Sequence, residues 1–151
     1  MKKNTVMRKK IYLAAPLSQE KRTDMSKAVQ ILREQDFEVY APVEHVIPNA
    51  WDYPNNEWGL MVFTEDIQAI QNSDYVVLLS YGRQARTAGA TWEAGYAFGI
   101  GKTVIVVEML EGEVMSLMVA NGRYATVKGL EGLKEYDWSE MPKTRTFTEQ
   151  K

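Results

Sequence analysis

Apolar positions along this chain recur with two different periods. KIYLAA (Lys10 to Ala15), FEVYAP, DYVVLLSY, TVIVVEM and YATVKG are short apolar runs, two of them closed by proline, and they predict strands. DYVVLLSY is apolar on both faces, as expected for a strand inside a parallel sheet. Between these runs the spacing changes to three and four. TDMSKAVQILREQ places Met25, Ala28, Val29 and Leu32 on one helical face, with Thr23 or Asp24 available as its cap. Leu60, Phe63, Ile67 and Ile70 predict the buried face of a second helix. TAGATWEAGYAFGIGK (Thr87 to Lys102) predicts a third, and EVMSLMVANG a short fourth closed by Gly122.

Strand and helix therefore alternate through five strands, which predicts a single-domain α/β fold. The expected architecture is a doubly wound, five-stranded parallel sheet flanked by helices, of the flavodoxin-like or Rossmann-like kind. In such sheets ligands bind beyond the carboxyl ends of the strands. The domain is expected to span residues 10–143, between a flexible segment over 1–9 and a polar tail over 144–151. The loop from Val43 to about Glu57 contains Pro48, Pro54 and an Asn-Asn pair, with Trp51 and Tyr53 conspicuous in so polar a stretch.

Composition narrows the chemistry. With 151 residues, a formal net charge of -2 and a pI near 5.5, the chain has no basic footprint for nucleic acid. It has no cysteine, which excludes disulfides, thiolate chemistry and most structural zinc sites. A single histidine, His45, rules out a multi-histidine metal site and argues against a Ser-His-Asp triad. MKKNTVMRKK is basic but is not followed by an apolar segment, and TVIVVEML is far short of the roughly 18 residues that span a bilayer. The expectation is a cytoplasmic protein with no membrane, nucleic-acid, metal or cofactor partner.

Glu93 is the unusual acid. Its helical neighbours are Ala90, Tyr96 and Ala97, so it shares a face with small or apolar residues, where a carboxylate is costly and reactive. On spacing alone, a glutamate at the helix edge is the commoner outcome. Asp66 lies at the margin of an apolar helix face and reads either as a general acid/base or as a solvated partner. Asp74, before the third strand, reads as a capping residue. Tyr12 in a buried strand is core unless a carboxylate needs its hydroxyl. His45 reads as a surface residue without a role. Trp51, Tyr53 and Trp58 could stack on a flat ring or cover the core. GATWEAGYAFGIG follows the third strand and not the first, so it is no dinucleotide fingerprint, and GIGK is no Walker loop.

Taken together, IYLAAP, FTEDIQAIQNSDYVV, ATWEAGYAFGIGK and SLM resemble the nucleoside 2-deoxyribosyltransferase family from about Lys10 to Trp138. The resemblance implies retaining cleavage of the N-glycosidic bond of 2'-deoxynucleosides and transfer of deoxyribose to another base. It assigns the nucleophile to Glu93, its positioning tyrosine to Tyr12, and the acid/base near the departing base to Asp66. It carries substrate contacts onto Thr87, Gly89, Ser116, Met118, Ala14 and Pro16. The implied partners are a deoxynucleoside or deoxynucleotide, a free nucleobase, and further copies of the chain that share active sites.

Two positions depart from the family pattern. Thr87 stands where these transferases have an aspartate, and Ser116 where they have an asparagine supplied by a neighbouring subunit. No C-terminal tyrosine is present, Phe147 being the aromatic in the tail. Hydroxyl residues at both positions resemble the related 2'-deoxynucleoside 5'-monophosphate N-hydrolases, and Arg83 and Arg86 could supply counter-charge to a phosphate. Against this, AAPLSQEKR replaces the phosphate loop that those hydrolases carry after the first strand. Transfer is the first expectation, hydrolysis of a nucleotide the second, and a non-catalytic nucleotide-binding module on the same fold the third.

Overall fold

The computed structural model describes residues 8–45, 47, 49–82 and 87–140. Arg83, Arg86, Phe147, the tail over 144–151 and most of the segment over 1–9 lie outside the described residues. Five strands, β1 (Lys10–Ala14), β2 (Glu38–Tyr40), β3 (Tyr75–Ser80), β4 (Thr103–Glu108) and β5 (Ala125–Lys128), pair in parallel in the order β2-β1-β3-β4-β5. Parallel neighbours require crossovers. These are α1 (Arg22–Glu34), α2 (Asn55–Gln71), α3 (Ala88–Gly99) and α4 (Leu117–Gly122), and α5 (Gly129–Glu135) follows β5. The result is the expected doubly wound sheet. Its strand order reverses between β1 and β3, so a ligand crevice belongs beyond their carboxyl ends.

Strand parity divides the core in two. Ile11, Leu13, Val77, Leu79, Ile105 and Val107 pack with Met25, Ala28 and Leu32 of α1 and Leu133 of α5. Tyr12, Ala14, Val76, Leu78, Val104 and Val106 face the other way, against Ile70 of α2 and Ala90, Ala94 and Ala97 of α3. Tyr12 is thereby directed at α3. No helix among the described residues is long and apolar enough to cross a membrane.

Several local expectations need correction. The face Met25, Ala28, Val29 and Leu32 of α1 is buried as expected, but the helix begins earlier. A 3-10 turn over Gln19–Lys21 runs directly into Arg22, which leaves Thr23 and Asp24 inside the first turn. Asp24 instead accepts a hydrogen bond from the Tyr81 hydroxyl at 2.8 Å. Asp74 caps a strand: its Oδ2 accepts the Lys10 N–H at 2.8 Å, and its own N–H donates to the Lys10 carbonyl at 2.8 Å.

The larger correction concerns α2. Ile70 is buried and Ile67 half-buried, but Leu60 and Phe63 are 65% and 51% exposed. The helix has 17 residues and is therefore about 25 Å long. Its last turns pack on the sheet and its first turns extend past it. Trp51, Tyr53 and Trp58 are exposed as well, so they do not cover this chain's core. In α3 the alanines make the close approach to the sheet, and the glycines do not: a Cβ at Gly89, Gly95 or Gly99 would meet no atom within 4 Å. The helix α5 was not expected, because GLEGLKE holds two glycines in seven residues; it buries Leu133.

Candidate active site

Three elements bring Tyr12, Asp66 and Glu93 to one place. Tyr12 is fully buried on β1, in register with Tyr40 of β2 and Val76 of β3. Its hydroxyl donates a short hydrogen bond to Oε2 of Glu93, which α3 carries between the buried Ala90 and Ala97. Asp66 faces the pair from α2, and its charge is felt by both Tyr12 and Glu93.

Burial dominates the electrostatics. It pushes Glu93 up to about 7; the Tyr12 hydrogen bond opposes the rise and the charge of Asp66 adds to it. Asp66 is pushed up to about 6 by burial and then by Glu65 beside it, while His45 and a hydrogen bond from the Tyr40 hydroxyl act in the opposite sense. The Tyr12 phenol is held protonated, by burial first, then by the charge of Glu93 and its hydrogen bond to that carboxylate. A buried donor thus serves one carboxyl group, and a second carboxyl group with a different proton affinity stands close by. Such a pair can divide nucleophilic and acid/base work between its members.

Two neighbours of this cluster had no expected role. The Tyr40 ring lies 5.6 Å from that of Tyr12, tilted by 13°, and the His45 ring lies 4.0 Å from that of Tyr40, tilted by 9°. His45 is exposed, as expected of a surface residue, yet it ends a three-ring stack. The available signal was register: FEVYAP and KIYLAA each carry a tyrosine, and the two neighbouring strands pair so that these two face one another.

Thr87, Ser116 and Met118 gather elsewhere. They line a cavity of about 780 Å³ together with Gly82, Trp92 and Phe98, on the flank of α3 that faces α4. Tyr12, Asp66 and Glu93 are not among its walls. Thr87 stands at the N-cap position of α3 without a side-chain capping bond. Ser116 does cap α4, its Oγ accepting the Val119 N–H at 3.2 Å. Met118 is almost wholly exposed. Gly82 has a left-handed φ of +79°, and Oε2 of Glu113 lies 2.8 Å from where its Cβ would be. Ala14 and Pro16 are buried at the carboxyl end of β1, and Gly89 is exposed in the first turn of α3.

The desolvation of Glu93 has a measurable cost. A carboxyl group whose folded pKa exceeds its unfolded one binds more protons in the native state. Stability therefore falls as pH rises from the ordinary value of 4.5 to about 7. A shift of that size is worth at most ~3 kcal/mol, and roughly 1–2 kcal/mol after allowance for the partial exposure of Glu93. Glu93→Gln is expected to exceed the wild type in stability by that amount at pH 8 and to match it near pH 4.5. Urea midpoints at the two pH values measure this, and an unchanged difference between them would mean that Glu93 is well solvated.

Comparison with known proteins identifies the family and the fold. The model of the nucleoside 2-deoxyribosyltransferase family matches residues 11–131. Among solved structures, the 2-deoxyribosyltransferase of Bacillus psychrosaccharolyticus superposes with a TM-score of 0.79 at 29% identity, over 91% of this chain and 98% of that one. A conserved protein from Enterococcus faecalis V583 gives a TM-score of 0.65 at 21% identity, over 85% and 96% of the two chains. The CMP N-glycosidase BcmB of Clostridium botulinum gives 0.58 at 16% identity, over 84% and 96%; these last two likenesses concern the fold. A search of curated proteins returns no significant match. The family match spans most of the sheet and all three clustered residues, and the chain belongs to the nucleoside 2-deoxyribosyltransferase family of enzymes.

Proposed function

We propose that this chain cleaves the N-glycosidic bond of 2'-deoxyribonucleosides and transfers the deoxyribosyl group to another base. The observation that carries the proposal is the Tyr12–Glu93 hydrogen bond with Asp66 alongside. An oxygen of Glu93 attacks C1', the C1'–N bond breaks, and its electron pair leaves with the base nitrogen, to which Asp66 gives a proton. The acceptor base then attacks C1', releases Glu93, and returns a proton to Asp66. Tyr12 holds the nucleophile in place throughout. A sugar without a 2'-hydroxyl forms an oxocarbenium-like transition state readily, so one nucleophile and one acid suffice. No step requires a cofactor or a metal.

The mechanism needs one proton shared between the two carboxyl groups, on Asp66 while Glu93 is ionised. Burial holds Asp66 at about 6 and Glu93 at about 7, so a single proton rests more often on Glu93 and the productive arrangement is the minor one. The pair gives a narrow bell-shaped pH profile between those limits, belonging to the pair and not to either residue. Thr87 is proposed to serve the sugar, and Ser116 and Met118 to do so in the site of a neighbouring subunit. In support, Leu117 and Met118 are exposed apolar residues on α4 beside the cavity.

Hydrolysis of a nucleoside monophosphate is the second reading, favoured by the hydroxyl side chains of Thr87 and Ser116 at one cavity. Glu113 argues against it. Its carboxylate packs on Gly82, a wall of that cavity, where a dianionic phosphate is repelled and a sugar hydroxyl is welcomed. The deciding experiment incubates deoxyinosine, or its 5'-monophosphate, with and without adenine. Deoxyadenosine and hypoxanthine are expected from the nucleoside with adenine, with little free hypoxanthine in its absence. Acceptor-independent release of hypoxanthine from the monophosphate alone would replace transfer by hydrolysis.

A further inference from the structure

We propose that Tyr40 is a positioning residue for both carboxyl groups, its ring steadying Tyr12 and its hydroxyl orienting Asp66. This rests on the roles proposed for Glu93 and Asp66. Tyr40 and Tyr12 are Cα partners across β2 and β1, so the two rings rise from adjacent strands at one level. Tyr40 is held between two flat faces, with the Tyr12 ring at 5.6 Å on one side and the His45 ring at 4.0 Å on the other, both close to parallel. A ring stacked in this way cannot swing about its Cα–Cβ bond without breaking both contacts, so its hydroxyl is held in place. That hydroxyl acts on Asp66, whose ionised form it favours. One side chain therefore packs on the donor to the nucleophile and acts on the acid itself.

The groups around Asp66 fix the sign of the effect. Glu65 faces it from α2, Tyr40 from β2 and His45 from the turn after β2. Tyr12 on β1 and Glu93 on α3 complete the set. Of these, Tyr40 donates to the Asp66 carboxylate and so favours its ionised form. Without that donor Asp66 keeps its proton to higher pH.

The test compares Tyr40→Phe, Tyr40→Leu and His45→Ala with Asp66→Asn in full-length enzyme. Profiles of kcat/KM against pH are recorded with deoxyinosine and with an aryl 2-deoxyriboside whose leaving group needs no proton. Tyr40→Phe keeps the stack, and its profile with deoxyinosine is expected to move to higher pH, chiefly on the acid side and by up to about one pH unit, with the aryl substrate unaffected. Tyr40→Leu loses the stack and is expected to slow both substrates by about tenfold or more in kcat, with little change in KM. His45→Ala, at an exposed position, is expected to shift the profile in the same direction but less. Superimposable Tyr40→Phe and wild-type profiles, alongside an Asp66→Asn profile that has lost its limb, would overturn the role of Tyr40 and leave that of Asp66 intact. An Asp66→Asn profile identical to wild type would overturn both.

Discussion

Replacement of Glu93 by alanine is expected to abolish turnover, by about 10⁴-fold or more, and to leave the fold in place. The size of the effect follows from the role proposed for the residue. A general acid eases a step that can proceed slowly without it, whereas the nucleophile forms the intermediate on which transfer depends. Glu93 is suited to the task by its surroundings. Its carboxylate is partly desolvated where Ala90, Ala94 and Ala97 pack α3 on the sheet, and it keeps one strong donor in Tyr12. Desolvation raises its nucleophilicity and the hydrogen bond fixes its direction. Initial-rate transfer from deoxyinosine to adenine measures the loss, with circular dichroism to check the fold. Retention of more than about a tenth of wild-type rate by Glu93→Ala would remove the covalent mechanism. Mass spectrometry of wild type trapped with a fluorinated deoxyriboside should find the adduct on Glu93.

Asp66→Asn is expected to separate substrates by their leaving groups. General-acid catalysis is worth roughly 10²–10⁴-fold, and that factor applies only where the departing nitrogen must be protonated. Release of hypoxanthine should therefore slow by two orders of magnitude or more, and release of an activated aryl group by far less. The value of about 6 for Asp66 explains why it can serve near neutrality: an ordinary aspartate would hold almost no proton there. Equal losses with both leaving groups would exclude it as the acid.

The sheet was legible because its signals are local. Five short apolar runs separated by helical periods leave few alternatives to a doubly wound sheet, and observed strand limits differ from expected ones by a residue or two. Buried faces were legible where one helix packs on one sheet along its whole length, as α1 does. They were not where a helix outruns the sheet. Periodicity identifies the apolar side of α2 but not whether anything lies opposite Leu60 and Phe63. Tyr12, Asp66 and Glu93 were singled out by local setting and motif, and the fold brings them together. Tyr40 and His45 were missed because their importance lies in what they stack on, which depends on the pairing of β1 with β2.

That pairing has a further consequence. β1 is apolar on both sides, with Ile11 and Leu13 in one core and Tyr12 and Ala14 in the other. Most half-buried strands resist slippage because a one-residue slip drives their apolar set into water. Here such a slip would keep apolar groups buried on both sides and would swap only their identities, turning Tyr12 away from Glu93 toward α1. Hydrophobic burial is nearly indifferent to the error. The two hydrogen bonds between Lys10 and Asp74 are not, because they tie the first residue of β1 to the residue that precedes β3. Asp74, at the opposite end of the strands from the crevice, thus helps to fasten β1 in the alignment that turns the Tyr12 phenol toward Glu93.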